Sequence, residues 1–379
     1  MFTCVKLPSP DADLVLRIAS EIEVCGSIPF SRFMELALYE ARDGYYASGR
    51  AAVGRAAGDF FTNVSTGPLY GELLAGQLLE MRERLDGREF LVIEQGAHDG
   101  QMAADVLDAI PAIHGSGLRY VIVEPFPALR ARQEEKLTGR AVEWVSSISD
   151  LPPGEGVHFS NELFDALPVD IVRSTGEGWR ELCVGYESGS FVWRDGREVE
   201  ERLPRRPVGY TTEIRNSHRP LLREISARLT RGFILAVDYG MSRDDLLAPH
   251  RTEGTLSCYR EHRRDSDPLV DPGSKDITAH VDFSGVVEDA ECLGWDLAGF
   301  TDQHHFLVGA ASQMLLNMDG IRLDARAAKK IRSLQTLIHP ETMGTQFHAL
   351  VLSRGVANPS LSGFQFARDP RERLFPTPV

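Results

Sequence analysis

Two acids and two glycines near the middle of the chain have the spacing to hold a nucleoside. Phe90-Leu91-Val92-Ile93 is an apolar run that ends in Glu94, and Gly96, His98 and Gly100 follow before a helix-like stretch, Met102–Ile110. Glycine reaches positive φ and lets a ligand come close to the backbone. In open α/β sheets, ligands lie beyond the carboxyl ends of the strands, at this kind of turn. A second apolar run, Tyr120–Val123, ends in Glu124. A carboxylate there can accept hydrogen bonds from both hydroxyls of an adenosine ribose. The same residues also allow a plainer reading, in which the glycines only turn the chain and Glu124 is a strand-end acid.

Elements that would position these residues alternate along the chain. Residues 67–86 repeat apolar side chains at helical spacing, and a second helix is expected from Leu129 to Leu137. Val157–Ser160 and Phe233–Val237 read as further buried strands. Strand and helix in alternation predict an α/β fold, a Rossmann-like parallel sheet with helices on both faces. Residues 1–87 read as an N-terminal helical region, in which Ser31 caps a helix that Gly44 stops. The Rossmann-like domain spans residues 88–352, with a β-rich insertion at about 171–215 and a polar loop or cap at about 241–282. Residues 353–379 read as a loosely held tail.

Composition removes several classes. The 379 residues carry a formal net charge of −14, which argues against non-specific nucleic-acid binding. Five cysteines, widely spaced and without a CxxC pair, fit reduced thiols and a cytoplasmic setting. The amino terminus looks like neither a secretory leader nor an Arg-rich transit peptide, and no run of about 18 apolar residues suggests a membrane span. His262, Asp276, His280 and the pair His304-His305 lack the spacing of a metal site, so none is expected.

The dinucleotide pattern GxGxxG is not met. The order Glu-x-Gly-x-His-x-Gly is nearer the methyltransferase loop ExGxGxG, with His98 at the middle glycine. A histidine enters such a turn less closely than glycine, so His98 reads as a spectator or packing residue before a catalytic one.

Several further runs occur in the order found in one family. They are Gly58-Asp59-Phe60-Phe61-Thr62, the Glu94–Gly100 turn, Val123-Glu124-Pro125 with Leu129, Arg130, Arg132 and Gln133, and Asn161-Glu162-Leu163-Phe164-Asp165-Ala166-Leu167-Pro168. Asp238-Tyr239-Gly240, Gly254-Thr255-Leu256 and Asp276-Ile277-Thr278-Ala279-His280-Val281-Asp282-Phe283 continue the series. On these runs the chain resembles the MidA family of class I S-adenosylmethionine-dependent methyltransferases, whose mitochondrial relatives assist assembly of respiratory complex I. It departs at His98 and at Thr301-Asp302, where the family more often has Thr-Gln.

The resemblance implies that Gly58, Asp59, Phe60, Thr62, Glu94, Gly96, His98, Gly100, Glu124, Asn161 and Glu162 surround S-adenosylmethionine. It also implies a protein substrate methylated on arginine. Arginine is a poor nucleophile because its charge is delocalised, and carboxylates help by fixing the guanidinium fork. Glu162 and Asp165 would share a face of a helical turn, Glu162 orienting the acceptor and Asp165 supporting it. Alternatively, the acids favour that helix's dipole and Ser160 or Asn161 caps it. A small-molecule acceptor, a cofactor-binding assembly factor without turnover, and a homo-oligomer remain open on sequence.

Overall fold

The computed structural model describes residues 13–49, 66–86, 89–110, 117–200, 203–260, 263–265, 267–318, 324–340 and 344–376. The chain divides into two compact units, one of residues 61–164, 218–243 and 281–379, the other of residues 1–60, 165–217 and 244–280.

The larger unit is built on one sheet. Its main strands are β1 (Phe90–Gln95), β2 (Leu118–Val123), β3 (Val142–Val145), β4 (Gly154–Asn161), β5 (Leu229–Met241), β6 (Asp296–Asp302) and β7 (Phe347–Arg354), in the spatial order β3-β2-β1-β4-β5-β7-β6, and the short strand Val281–Asp282 pairs with the end of β5. β1 to β5 run parallel, and β7 is antiparallel to both β5 and β6. The carboxyl ends of β1, β2, β4, β5 and β6 therefore meet at one edge. Central parallel strands are covered on both faces, which is why they read as near-continuous apolar runs. On one face Val92, Ile122, Phe159 and Leu235 share a core with the helices Leu69–Arg84, Gln101–Ala109 and Gln303–Met318, while Ile93, Val121 and Ile234 are buried on the other. The helix Leu69–Arg84 lies close to Gln101–Ala109 because Gly71 has no side chain. A Cβ there would stand 2.4 Å from the Cβ of Asp105.

Residues 362–364 of the tail are anchored rather than loosely held. Ser362 donates from N and Oγ to the Glu80 carboxylate at 2.9 and 2.8 Å, Gly363 N donates to Gln77 Oε1, and Phe364 packs on Phe306. These anchors lie far back in the sequence, so the tail's own composition gives no sign of them.

The smaller unit holds the helices Leu14–Cys25 and Phe30–Tyr39 and an antiparallel sheet of Ile28–Pro29, Asp170–Ser174, Trp179–Glu187, Ser190–Glu198 and Thr211–Ile214. The second helix starts at Phe30, not after Ser31, and ends at Tyr39, ahead of Gly44. Glu40 stops it: its carboxylate accepts from Arg42 N and Asp43 N, offering the backbone a turn in place of helix. The expected polar loop contains a sheet of its own, Ser257–Arg260 with Arg263–Asp265 and Asp276–Thr278. A buried ion pair between Arg215 and Glu213, 2.7 Å apart, fastens it. Glu213 accepts from Thr255 N and Leu256 N, and Arg215 donates to Thr255 Oγ1 and to the His280 carbonyl. Polarity in this stretch satisfies buried backbone.

Candidate active site

The turn after β1 is left-handed at three alternate residues, with φ of 83° at Gly96, 48° at His98 and 80° at Gly100. A side chain on Gly96 would press on Leu163 Cδ1 at 3.3 Å. A non-glycine residue in this region costs about 1–2 kcal/mol, which explains why glycine is usual where His98 stands. Asp99 then starts the helix Gln101–Ala109, accepting from Gln101 N at 3.0 Å and pairing with Lys136 Nζ at 2.5 Å.

Glu124 closes β2 and is only 5% exposed. Its Oε1 accepts from Phe126 N at 2.9 Å and its Oε2 from Gln133 Nε2 at 2.8 Å. Burial raises its pKa against the pull of those bonds. An ionised carboxylate has about four acceptor positions, so capacity remains for two ribose hydroxyls.

Glu94, in β1, is buried and accepts from Tyr120 Oη at 2.8 Å. Burial lifts its carboxyl to about 7, although the tyrosine bond opposes the change. A carboxyl raised on folding stabilises fully below its unfolded pKa, and that contribution is lost as pH rises through the folded value. Glu94→Gln keeps an acceptor for Tyr120 and carries no charge. Its melting temperature should lie close to that of the unsubstituted protein near pH 5, where the loss has only begun, and exceed it by several degrees at pH 8. Calorimetric melting from pH 5 to 8 checks this, and a difference independent of pH would refute the assigned titration.

At the end of β4, Asn161 Oδ1 accepts from Tyr70 Oη at 2.8 Å, and Asn161 Nδ2 donates to Glu162 Oε1 at 3.0 Å. Glu162 is half-buried with φ of 55°. The next two amides, Leu163 N and Phe164 N, both donate to Asp238 Oδ2 at the matching end of β5. No helix follows β4, which corrects the expected helical turn: the left-handed φ of Glu162 takes that residue out of any helix, and Asp238 holds the next two amides in the turn instead. The shared helical face of Glu162 and Asp165 is therefore absent. Asp165 belongs to the smaller unit, where its carbonyl accepts from Ala279 N and its side chain is buried. Burial first, and then the charges of Asp276 and Asp165, raise the hydroxyls of Tyr39 and Tyr46 in that unit.

Glu94, Gly96, His98, Gly100, Glu124, Asn161 and Glu162 thus gather along the carboxyl edge of one sheet. Gly58, Asp59, Phe60 and Thr62 lie outside the described residues. Tyr70, Tyr120 and Gln133 carry no role on sequence alone, and Asp238 reads there either as a ligand-edge residue ending a strong strand or as part of a strand-to-loop turn. An acid directly closing the Phe233–Val237 run was the available signal for Asp238. A buried acid with acceptor capacity to spare, across from a left-handed glycine turn, fits a nucleoside cofactor.

A family model described as "Putative S-adenosyl-L-methionine-dependent methyltransferase" matches residues 73–301. The chain belongs to this family. It is an enzyme of the methyltransferase class, and its cofactor is S-adenosylmethionine. A Burkholderia thailandensis protein crystallised with S-adenosyl-homocysteine is 34% identical and superposes with a TM-score of 0.84, covering 97% of this chain and 99% of that one. The mitochondrial protein arginine methyltransferase NDUFAF7 homolog of Drosophila melanogaster is 27% identical, over 93% of this chain and 87% of its own length. The human protein arginine methyltransferase NDUFAF7, mitochondrial, is 25% identical over 96% and 88%. These mitochondrial relatives overturn the cytoplasmic setting expected from composition. Among the described residues, no helix is long and apolar enough to cross a membrane.

Proposed function

We propose that this methyltransferase modifies an arginine side chain of a partner protein, with Glu162 orienting the acceptor guanidinium. S-adenosylmethionine supplies the electrophilic methyl group on its sulfonium. Glu124 grips the ribose diol, and the turn from Gly96 to Gly100 lets the backbone approach the nucleoside. Asn161 holds Glu162 Oε1 through its amide, so one carboxylate oxygen has a set direction. A carboxylate so placed can fix the guanidinium fork and draw its charge toward one side, which leaves the opposite nitrogen richer in electrons. Fixing the acceptor also converts part of the entropic barrier into binding already made.

The observation that carries the reading is this half-buried acid at the end of β4, on the same sheet edge as Glu124. The relatives named protein arginine methyltransferase, which align with most of the chain, supply the acceptor class. Labelled S-adenosylmethionine added to cell extract with the purified protein tests it. The expected result is a labelled protein band that yields methylarginine on acid hydrolysis. Label confined to a small product, or no transfer by protein that binds the cofactor, would overturn it.

A further inference from the structure

Gln133 lies on the helix Pro127–Lys136 and is wholly buried. Its amide nitrogen donates to Glu124 Oε2 at 2.8 Å and to the His98 carbonyl at 2.8 Å, and its oxygen accepts from the Trp144 indole Nε1 at 3.0 Å. One side chain thereby joins the left-handed turn after β1, the acid that closes β2, and an indole on β3. A neutral amide suits this place for a chemical reason. It brings two hydrogens on one atom, directed at two different oxygens, and still offers an acceptor. An ionised acid would repel Glu124 and donate nothing, and a lysine or arginine could not accept from the indole.

We propose that Gln133 is a positioning residue for cofactor binding: it fixes the Glu124 carboxylate and the His98 turn as one rigid receptor for the ribose. The inference rests on the reading that Glu124 takes the ribose diol. With the bridge removed, Glu124 Oε2 loses a buried donor, the His98 carbonyl loses its clamp, and the carboxylate can rotate away from the orientation that two adjacent hydroxyls require. Outer partners of this kind act through orientation, so discrimination between sugars falls together with affinity.

The test is calorimetric titration of the full chain with S-adenosylhomocysteine and with its 2′-deoxyribose analogue. The unsubstituted protein should bind the analogue more weakly by about tenfold or more, one charge-assisted bond being lost. In Gln133→Leu, affinity for S-adenosylhomocysteine should fall about tenfold or more, and the ratio between the two ligands should shrink to within about threefold. Gln133→Met retains the length of the side chain but removes both donors, and it carries no charge to repel Glu124. It should behave alike, and it keeps the test open should the leucine variant not fold. A purely structural role for Gln133 predicts that both ligands weaken equally, and an unchanged ratio in folded variants would overturn the proposal. Glu124→Ala separates the two layers. If it leaves S-adenosylhomocysteine affinity intact, the ribose reading fails and this inference with it. If it weakens binding while the Gln133 variants keep the original ratio, only the positioning role is lost.

Discussion

Glu162→Gln should bind S-adenosylhomocysteine within about twofold of the unsubstituted protein while its kcat falls on the order of 10²–10³-fold, the usual cost of removing one oriented electrostatic contact to the reacting group. The substitution is isosteric, and glutamine Oε1 can still accept from Asn161 Nδ2, as the carboxylate does at 3.0 Å. The left-handed backbone at Glu162 stays in place because its neighbours hold it: Glu162 N donates to the Val237 carbonyl, and Asp238 binds the two following amides. The charge facing the acceptor is lost. Steady-state kinetics with calorimetry on the same variant checks both halves. Unchanged turnover would remove Glu162 from the chemistry, and collapsed cofactor binding would move it into the cofactor pocket instead.

Glu124→Ala should weaken S-adenosylhomocysteine on the order of a hundredfold or more, since two hydrogen bonds to a charged acceptor contribute about 1.5–3 kcal/mol each. The variant also leaves Phe126 N and Gln133 Nε2 without the carboxylate that accepts from them, which loosens the receptor further. The pH dependence has a definite sign. The ionised carboxylate is the form that accepts from the sugar, and burial raises its pKa. Affinity of the unsubstituted protein should therefore begin to fall on acidification at a higher pH than for an ordinary glutamate, while the alanine variant lacks that limb. Titrations at several pH values measure this. A dissociation constant within about threefold of the original at neutral pH would remove Glu124 from the ribose.

Much of the larger unit could be read from local pattern. β1, β2, β4 and β5 appear as apolar runs because both faces of the sheet are covered, and the acids Glu94, Glu124 and Asp238 stand where the hydrophobic demand ends. The left-handed character of the first turn was legible at Gly96 and Gly100 but not at His98, whose residue type disguises a backbone that suits glycine. Expectation failed at Glu162 and Asp165, where helical spacing was assumed over a segment that forms no helix. The anchoring of residues 362–364 and the small sheet near Thr255 had no local signal either, because distant side chains satisfy the backbone there.

What the amino-acid order determined alone was the alternation of strand and helix and the placing of carboxylates at strand ends. Both follow from interactions within a few residues: side-chain period, turn chemistry and hydrophobic run length. Only the folded chain decided which of those acids titrate upward, which amide joins Glu124 to the His98 turn, and how Glu162 is held. Those properties depend on burial and on hydrogen bonds between distant residues, such as the one from Leu163 N to Asp238, 75 positions away. No local pattern encodes a partner that arrives only when the sheet closes.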